Sequence, residues 1–227
     1  MYKITIDGFN GTGKTTLARN LAENLDFTYV SMGMIFRCVA YEMISNDISI
    51  SDIESVQQIL ENINIQLPNN NQKNVFIDEV CVTDIIKEMK YAEMSSKISN
   101  NLILQNGVRN IIRRYAENDN IIVDGRDTGR LLFPNADVKF ALYADIHTRA
   151  KRRGIKLGRL PNSDCADIEK TMIEIDNKLI LSNCIPPEDA IKIDTTQLNK
   201  DEVNCVCLDF IKSKLFNCDK IMDENSL

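Results

Sequence analysis

Lys14 and Thr15 carry the most plainly legible chemistry in this chain: an ammonium and a hydroxyl placed directly after glycines at positions 8, 11 and 13. The spacing Gly8-x-x-x-x-Gly13-Lys14-Thr15 fills the pattern G-x-x-x-x-G-K-[ST], a phosphate-binding loop, and each residue type has a mechanical reason to be there. Glycines let consecutive backbone N–H groups turn inward around an anion. The lysine reaches β- and γ-phosphates, and the hydroxyl takes a place on Mg²⁺. The expected phosphate-binding set is Gly8, Phe9, Asn10, Gly11, Thr12, Gly13, Lys14, Thr15 and Thr16, with Thr15 as the metal ligand. A dinucleotide-binding pattern starting at Gly11-Thr12-Gly13 fails, because Thr16 stands where the third glycine is needed.

A second group of candidates is Arg37 and the run Asp124-Gly125-Arg126-Asp127. Phosphoryl transfer between two small molecules needs an acceptor anion site and cations around the moving group. A surface ion pair is the plain alternative for Arg126 and Asp127. Their place after the apolar run Ile121-Ile122-Val123, where ligands bind in open α/β sheets, favours function.

The elements that must hold these residues follow from periodicity. Lys3–Asp7 reads as a strand, and Leu17, Leu21 and Leu25 with Ala18 and Ala22 read as a helix pointing its positive end at the phosphates. Phe27–Ser31 is a second strand, followed by a helix opening near Met34. Strand, helix, strand, helix implies a parallel sheet. A helical pattern spans Asp52 to Asn62. Then Ile63, Ile65 and Leu67 alternate with polar residues, Pro68 to Gln72 forms a turn cluster, and Val75–Ile77 with Val80–Val82 completes an inserted antiparallel hairpin region. Helix returns from Asp84 through Met94, Ile98 and Leu102, and another helix carries Val108, Ile111 and Ile112. Val138–Ala144 is a strand, Thr148–Lys156 a cationic helix, and Gly158–Ser163 a mobile loop. A long helix from about Asp167 to Leu181, a strand within Asp189–Thr196 and a helix from Asp201 to Leu215 close the chain, with a frayed tail after Cys218.

Composition bounds the rest. A chain of 227 residues with 44% hydrophobic content can bury a substantial core. No stretch approaches the roughly 20 apolar residues of a membrane span, and the chain enters a strand at once, so a soluble cytoplasmic protein is expected. A net charge of −6 argues against a nucleic-acid partner but leaves room for a local cation cluster. Seven scattered cysteines do not read as a disulfide framework. Cys205-x-Cys207 lacks the spacing and second pair of a zinc site and reads as part of a packed segment. The single histidine, His147, has no evident nucleophile partner and reads as a surface residue near a helix start.

At this point the motifs together resemble a known family. Gly8–Thr16, Gly33-Met34-Ile35-Phe36-Arg37, Asp124-Gly125-Arg126-Asp127-Thr128-Gly129 with Phe133-Pro134-Asn135-Ala136-Asp137, and Asp189–Thr196 are similar to the bacterial cytidylate kinases in order and spacing over nearly the whole chain. The D-G-R-D-x-G…F-P-x-A block is the specific part. The resemblance implies a three-layer α/β P-loop kinase fold: a single domain over 1–227, an inserted nucleoside-monophosphate-binding region over 34–106 with a small antiparallel sheet, and a short lid over 152–168. It implies transfer of the γ-phosphoryl group of ATP, with Mg²⁺, to CMP or dCMP by a monomer. Lys14, Arg126, Arg152 and Arg153 would act in catalysis. Gly33, Phe36, Arg37, Ser96, Arg109, Arg126, Asp127 and Asp176 would bind CMP, with Gln105 the alternative to Arg109. Asp127 would accept from the exocyclic amine and so separate cytosine from uracil.

The departures are as specific as the matches. The family's Asp-Ser/Thr-Gly-Ala-x-Tyr-Arg is Ser31 to Arg37 here, with hydroxyls lost at Met32 and Phe36. On the lid-side helix the pattern Arg-Asp-x-x-Asp-x-x-Arg keeps only Asp176: Met172 and Leu179 stand where arginines are expected, and Asn183-Cys184 replaces Pro-Leu. Lys170, Lys178 or Arg159 would be the substitutes, each lysine without the arginine fork. Two further readings therefore stand beside a slow CMP/dCMP kinase: a P-loop kinase for another small acceptor, and a nucleotide-binding protein with little catalysis.

Overall fold

The structure, a computed structural model, describes residues 1–68 and 74–216. The expected turn residues from 69 to 72 and the tail after Cys218 lie outside the described residues. The described residues form eight α-helices and eight strands, with a 3₁₀ turn and a π turn between some of them. Strands β1 (Lys3–Gly8), β2 (Thr28–Ser31), β6 (Ile121–Gly125), β7 (Val138–Tyr143) and β8 (Ile191–Asp194) form a five-stranded sheet in the order β2-β6-β1-β7-β8. β7 runs parallel to both β1 and β8, with Ile6 opposite Phe140 and Phe140 opposite Ile191. Such strands are apolar on both faces: Ile4, Ile6, Ile121, Ile122, Val123, Val138 and Phe140 are fully buried.

By internal contacts the described chain divides into two units. The first comprises residues 1–3 and 22–123, the second residues 4–21 and 124 onward.

In the first unit, α2 (Met32–Ser45) buries Ile35, Cys38, Val39 and Met43, and its Tyr41 ring meets Tyr91 of α4 (Met89–Ser99) at 5.7 Å. α3 (Ile53–Asn62) starts at Asp52, whose side chain accepts from the Ser55 N–H. The inserted hairpin region is a three-stranded antiparallel sheet, β3 (Ile65–Gln66), β4 (Phe76–Ile77) and β5 (Val80–Cys81). The single helical run expected from Asp84 to Leu102 is three pieces: a 3₁₀ turn at Ile85–Lys87, then α4, then α5 (Leu102–Tyr115). Asn101 makes the break, because its side chain accepts from the N–H groups of Ile103 and Leu104 and caps a new helix. Leu102 thus opens α5 instead of ending the helix before it.

In the second unit, α6 (Ile146–Lys156) and α7 (Ala166–Leu181) pack through Ala150, Cys165, Ile168 and Met172, with Ile146 beside them. α8 (Lys200–Leu215) opens on a capping box between Asn199 and Glu202. Its Phe210 meets Phe140 of β7 edge to face at 5.9 Å. Cys205 and Cys207 sit on this helix, where a separation of two turns them to different faces: Cys207 is buried and Cys205 exposed. His147 is an exposed residue of the first turn of α6, and its Nδ1 lies 2.7 Å from the Glu169 carboxylate. Among the described residues no helix is long and apolar enough to cross a membrane.

Candidate active site

The glycine-rich turn between β1 and α1 (Lys14–Leu25) is shaped by close approach. Gly8 has φ +150°, and a Cβ there would collide with the Leu142 carbonyl oxygen of β7. Gly11, at φ +82°, presses its Cα against α6, where a Cβ would lie 2.8 Å from the Arg149 carbonyl oxygen. Both places admit only glycine. The turn is closed from within, since the Thr12 hydroxyl donates to the Phe9 carbonyl at 2.9 Å and Lys14 Nζ donates to the same oxygen at 3.0 Å. Burial pushes the Lys14 ammonium down to about 8, while the Asp124 carboxylate pulls the other way.

The Thr15 hydroxyl donates to Asp124 Oδ2 at 2.7 Å. Asp124, 4% exposed, stands where the apolar run of β6 ends. A P-loop hydroxyl beside a strand-end carboxylate is the oxygen pair that holds Mg²⁺ in P-loop nucleotide sites. Among the described residues no three His, Cys, Asp or Glu side chains gather into a metal cage. A hydroxyl and a carboxylate are hard oxygen donors, and the pair suits a cation that takes one or two protein oxygens and completes its shell with phosphate and water, as Mg²⁺ does. Only Thr15 of this pair was expected as a ligand. The sequence signal for Asp124 was the carboxylate closing a buried strand.

After β6 the chain turns through one π turn at Thr128–Leu132. Asp7 of β1 holds it, accepting from the Thr128 N–H (2.8 Å), the Thr128 hydroxyl (2.7 Å) and the Gly129 N–H (2.8 Å). Burial nonetheless pushes the Asp7 carboxyl up to about 6, with the Asp127 charge adding to it and the three donors opposing. Arg126 Nη2 reaches Asn10 Oδ1 at 3.4 Å, so the expected acceptor-side arginine touches the phosphate loop itself. Asp127 is buried beside Cys184, whose thiol is pushed up to about 11 by burial first and then by the Asp127 charge.

Of the two expected lid arginines, Arg152 is half-buried and engaged: it donates to the Thr195 hydroxyl at 3.0 Å and reaches the Gly11 carbonyl at 3.5 Å. The Thr195 hydroxyl in turn donates to the Thr12 carbonyl at 3.0 Å, which ties the residue after β8 to the loop. Arg153 is exposed. The sequence reading missed Arg149, which is 7% exposed and spans Asn10, Ala144 and Asp176. Asp176, expected at CMP, has its Oδ2 2.7 Å from Arg149 Nη2. Met172, in place of a family arginine, is 4% exposed in the apolar seam between α6 and α7.

The remaining expected acceptor residues belong to the first unit. Phe36 is buried and Gly33 exposed in α2, and Arg37 Nη1 donates to the Ile86 carbonyl at 3.3 Å. Ser96 is exposed on α4. Arg109, 5% exposed, donates to Gln105 Oε1 and Asn106 Oδ1, both at 2.9 Å. The two alternatives for one role, Arg109 and Gln105, are thus partners on successive turns of α5.

Comparison with known proteins covers nearly the same span. The family model described as Cytidylate kinase matches residues 4–213. A cytidylate kinase of Fusobacterium nucleatum is 31% identical, covering 93% of this chain and 96% of that protein. One of Oceanobacillus iheyensis is 35% identical, covering 88% and 89%. Among solved structures, an uncharacterised protein from Eubacterium ventriosum matches with a TM-score of 0.52 at 14% identity, over 94% of this chain and 99% of that one, which is a likeness of fold alone.

Proposed function

The chain belongs to the cytidylate kinase family, and from that premise we propose that it transfers the γ-phosphoryl group of ATP to CMP or dCMP, releasing ADP and CDP or dCDP. An oxygen of the acceptor phosphate attacks the γ-phosphorus, and the bond from that phosphorus to the β–γ bridging oxygen breaks, leaving the electron pair on ADP. The protein supplies position and charge and forms no covalent intermediate. Lys14 places its ammonium on the β- and γ-phosphates, exchanging the Phe9 carbonyl for charged oxygens. Thr15 and Asp124 would hold Mg²⁺, which would supply neutralisation of the phosphate charge during transfer. Arg126, next to Asn10, suits the phosphoryl group in transit, and Arg152 holds the loop after β8 on the phosphate turn. Residues 34–106 would form the monophosphate-binding insertion, with Arg37 and Ser96 among its CMP contacts and Arg109, just beyond it on α5, as a further one. Residues 152–168 would form the lid. The protein would work as a monomer in the cytoplasm.

The observation that carries this proposal is the Thr15–Asp124 hydrogen bond beside a half-buried Lys14, which supports a phosphoryl-donor site at this loop. A coupled ADP-release assay with CMP, dCMP, UMP and AMP tests it. Faster ADP release with CMP or dCMP than with UMP or AMP is the expected result. A rate no greater than the ATP-only background with either cytidine nucleotide would overturn it.

A further inference from the structure

Arg149 lies against the back of the phosphate loop along its first half. Its Nη1 donates to the Asn10 carbonyl at 3.3 Å, its guanidinium stands 5.7 Å from the Phe9 ring centre, and its backbone is the surface on which Gly11 is pressed. Its Nε donates to the Ala144 carbonyl at 3.1 Å, at the end of β7. The remaining nitrogen, Nη2, meets Asp176 Oδ2 at 2.7 Å, and both side chains are about nine-tenths buried. Asp176 reaches this place rigidly, because α7 is fixed to α6 by the seam of Ala150, Cys165, Ile168 and Met172.

We propose that Asp176 and Arg149 are positioning residues for the ATP-binding loop: Asp176 neutralises Arg149, and Arg149 holds Phe9, Asn10 and Gly11 in the shape that receives the phosphates. A guanidinium deprived of the Asp176 carboxylate in so dry a place seeks other oxygens, and the loop that rests on it shifts. α7 thereby acts in this chain as a buttress. At Met172, where the family pattern has an arginine for phosphate, it supplies an apolar contact that keeps Asp176 on Arg149. The proposal rests on the kinase reading for its steady-state arm alone.

Mg-ATP is titrated into the 227-residue chain without acceptor, followed calorimetrically, and ATP and CMP saturation curves are then run on the same variants. Asp176→Asn keeps the shape and removes the charge; its dissociation constant for Mg-ATP and its KM for ATP rise about tenfold, the scale of one lost charge-assisted contact. Asp176→Glu keeps the charge and returns ATP binding to within about threefold of the parent. Arg149→Lys reproduces the ATP defect, since a point charge cannot serve Asn10, Ala144 and Asp176 together. Should Asp176→Asn fail to fold, the Glu and Lys variants carry the test. A rise in KM for CMP with Mg-ATP binding intact overturns the proposal and gives Asp176 to the acceptor through Oδ1, which accepts no hydrogen bond from the described residues. Unchanged ATP binding in both Asp176→Asn and Arg149→Lys also overturns it. The titration contains no CMP, so its outcome does not depend on which acceptor the enzyme uses.

Discussion

Asp7 shows how much one residue can hold and what that costs. Its carboxylate is the common acceptor for three donors of the Thr128–Gly129 turn, a task an ionised carboxylate performs and a carboxylic acid performs only in part. Burial still dominates and raises it from 3.8 to about 6. The sign follows from proton binding: the folded chain holds this proton more tightly than the unfolded one. Its contribution to stability is therefore complete below about pH 4 and is lost as pH rises through 6. The size is about 3 kcal/mol, an upper figure for a shift of that extent. Urea unfolding of the parent and of Asp7→Asn at several pH values from 4 to 7.5 measures it. The parent should lose stability relative to the variant across that window, and a difference that stays flat with pH would contradict it. In the sequence Asp7 is only the last residue of a strand before a glycine, and Arg149 is one cation in a run of five. Types and spacing mark the residues that touch phosphate, such as Lys14 and Thr15. Their buried supports are marked by three-dimensional neighbours, which no local pattern encodes.

At the scale of elements, periodicity recovers the buried strands and most helices, because both have one dominant apolar pattern. It fails where a side chain competes with the backbone. Asn101 ends one helix early and, by capping α5, gives Leu102 to the next, and Asp7 stabilises a π turn that hydropathy does not reveal. α7 is the instructive case. Aligned on the family pattern, Met172 looks like a missing arginine, and restoring it looks like a route to a faster enzyme. In the structure Met172 is part of the seam with α6, 4% exposed, among Ala150, Cys165 and Ile168. A guanidinium there enters an apolar cluster with no carboxylate assigned to it, a change of a kind that costs several kcal/mol. Met172→Arg should thus lower the melting temperature by about 5–10 °C and leave kcat no higher than the parent. Calorimetry and the ADP-release assay read both quantities; a stable variant with raised kcat would show that α7 still offers that position to phosphate.

For the whole molecule the question is how a chain of net charge −6 binds a polyanion. Net charge sets the far field, but binding is decided by the potential at the site, and within the second unit Lys14, Arg126, Arg149 and Arg152 all touch residues 9–11 of the loop. Asp124 opposes them, and a divalent cation on Thr15 and Asp124 would reverse the sign of that corner. ATP binding to the folded chain alone must raise its stability by mass action, by about 2.7 kcal/mol at a hundred times the dissociation constant. For a chain of this size that is roughly 5–10 °C in melting temperature. If the two units melt in separate steps, the step that moves is that of the unit holding the phosphate loop. Mg²⁺ should enlarge the ATP-induced shift in the parent. In Asp124→Asn, ATP alone should shift the transition at least as much as in the parent, because a negative charge has left the site, yet added Mg²⁺ should bring little further gain. Calorimetric scans with ATP, with and without Mg²⁺, separate these outcomes. A full Mg²⁺-dependent gain in Asp124→Asn would mean that the cation is held by phosphate and water without this carboxylate, and the Thr15–Asp124 pair would lose its role as the metal's place in the protein.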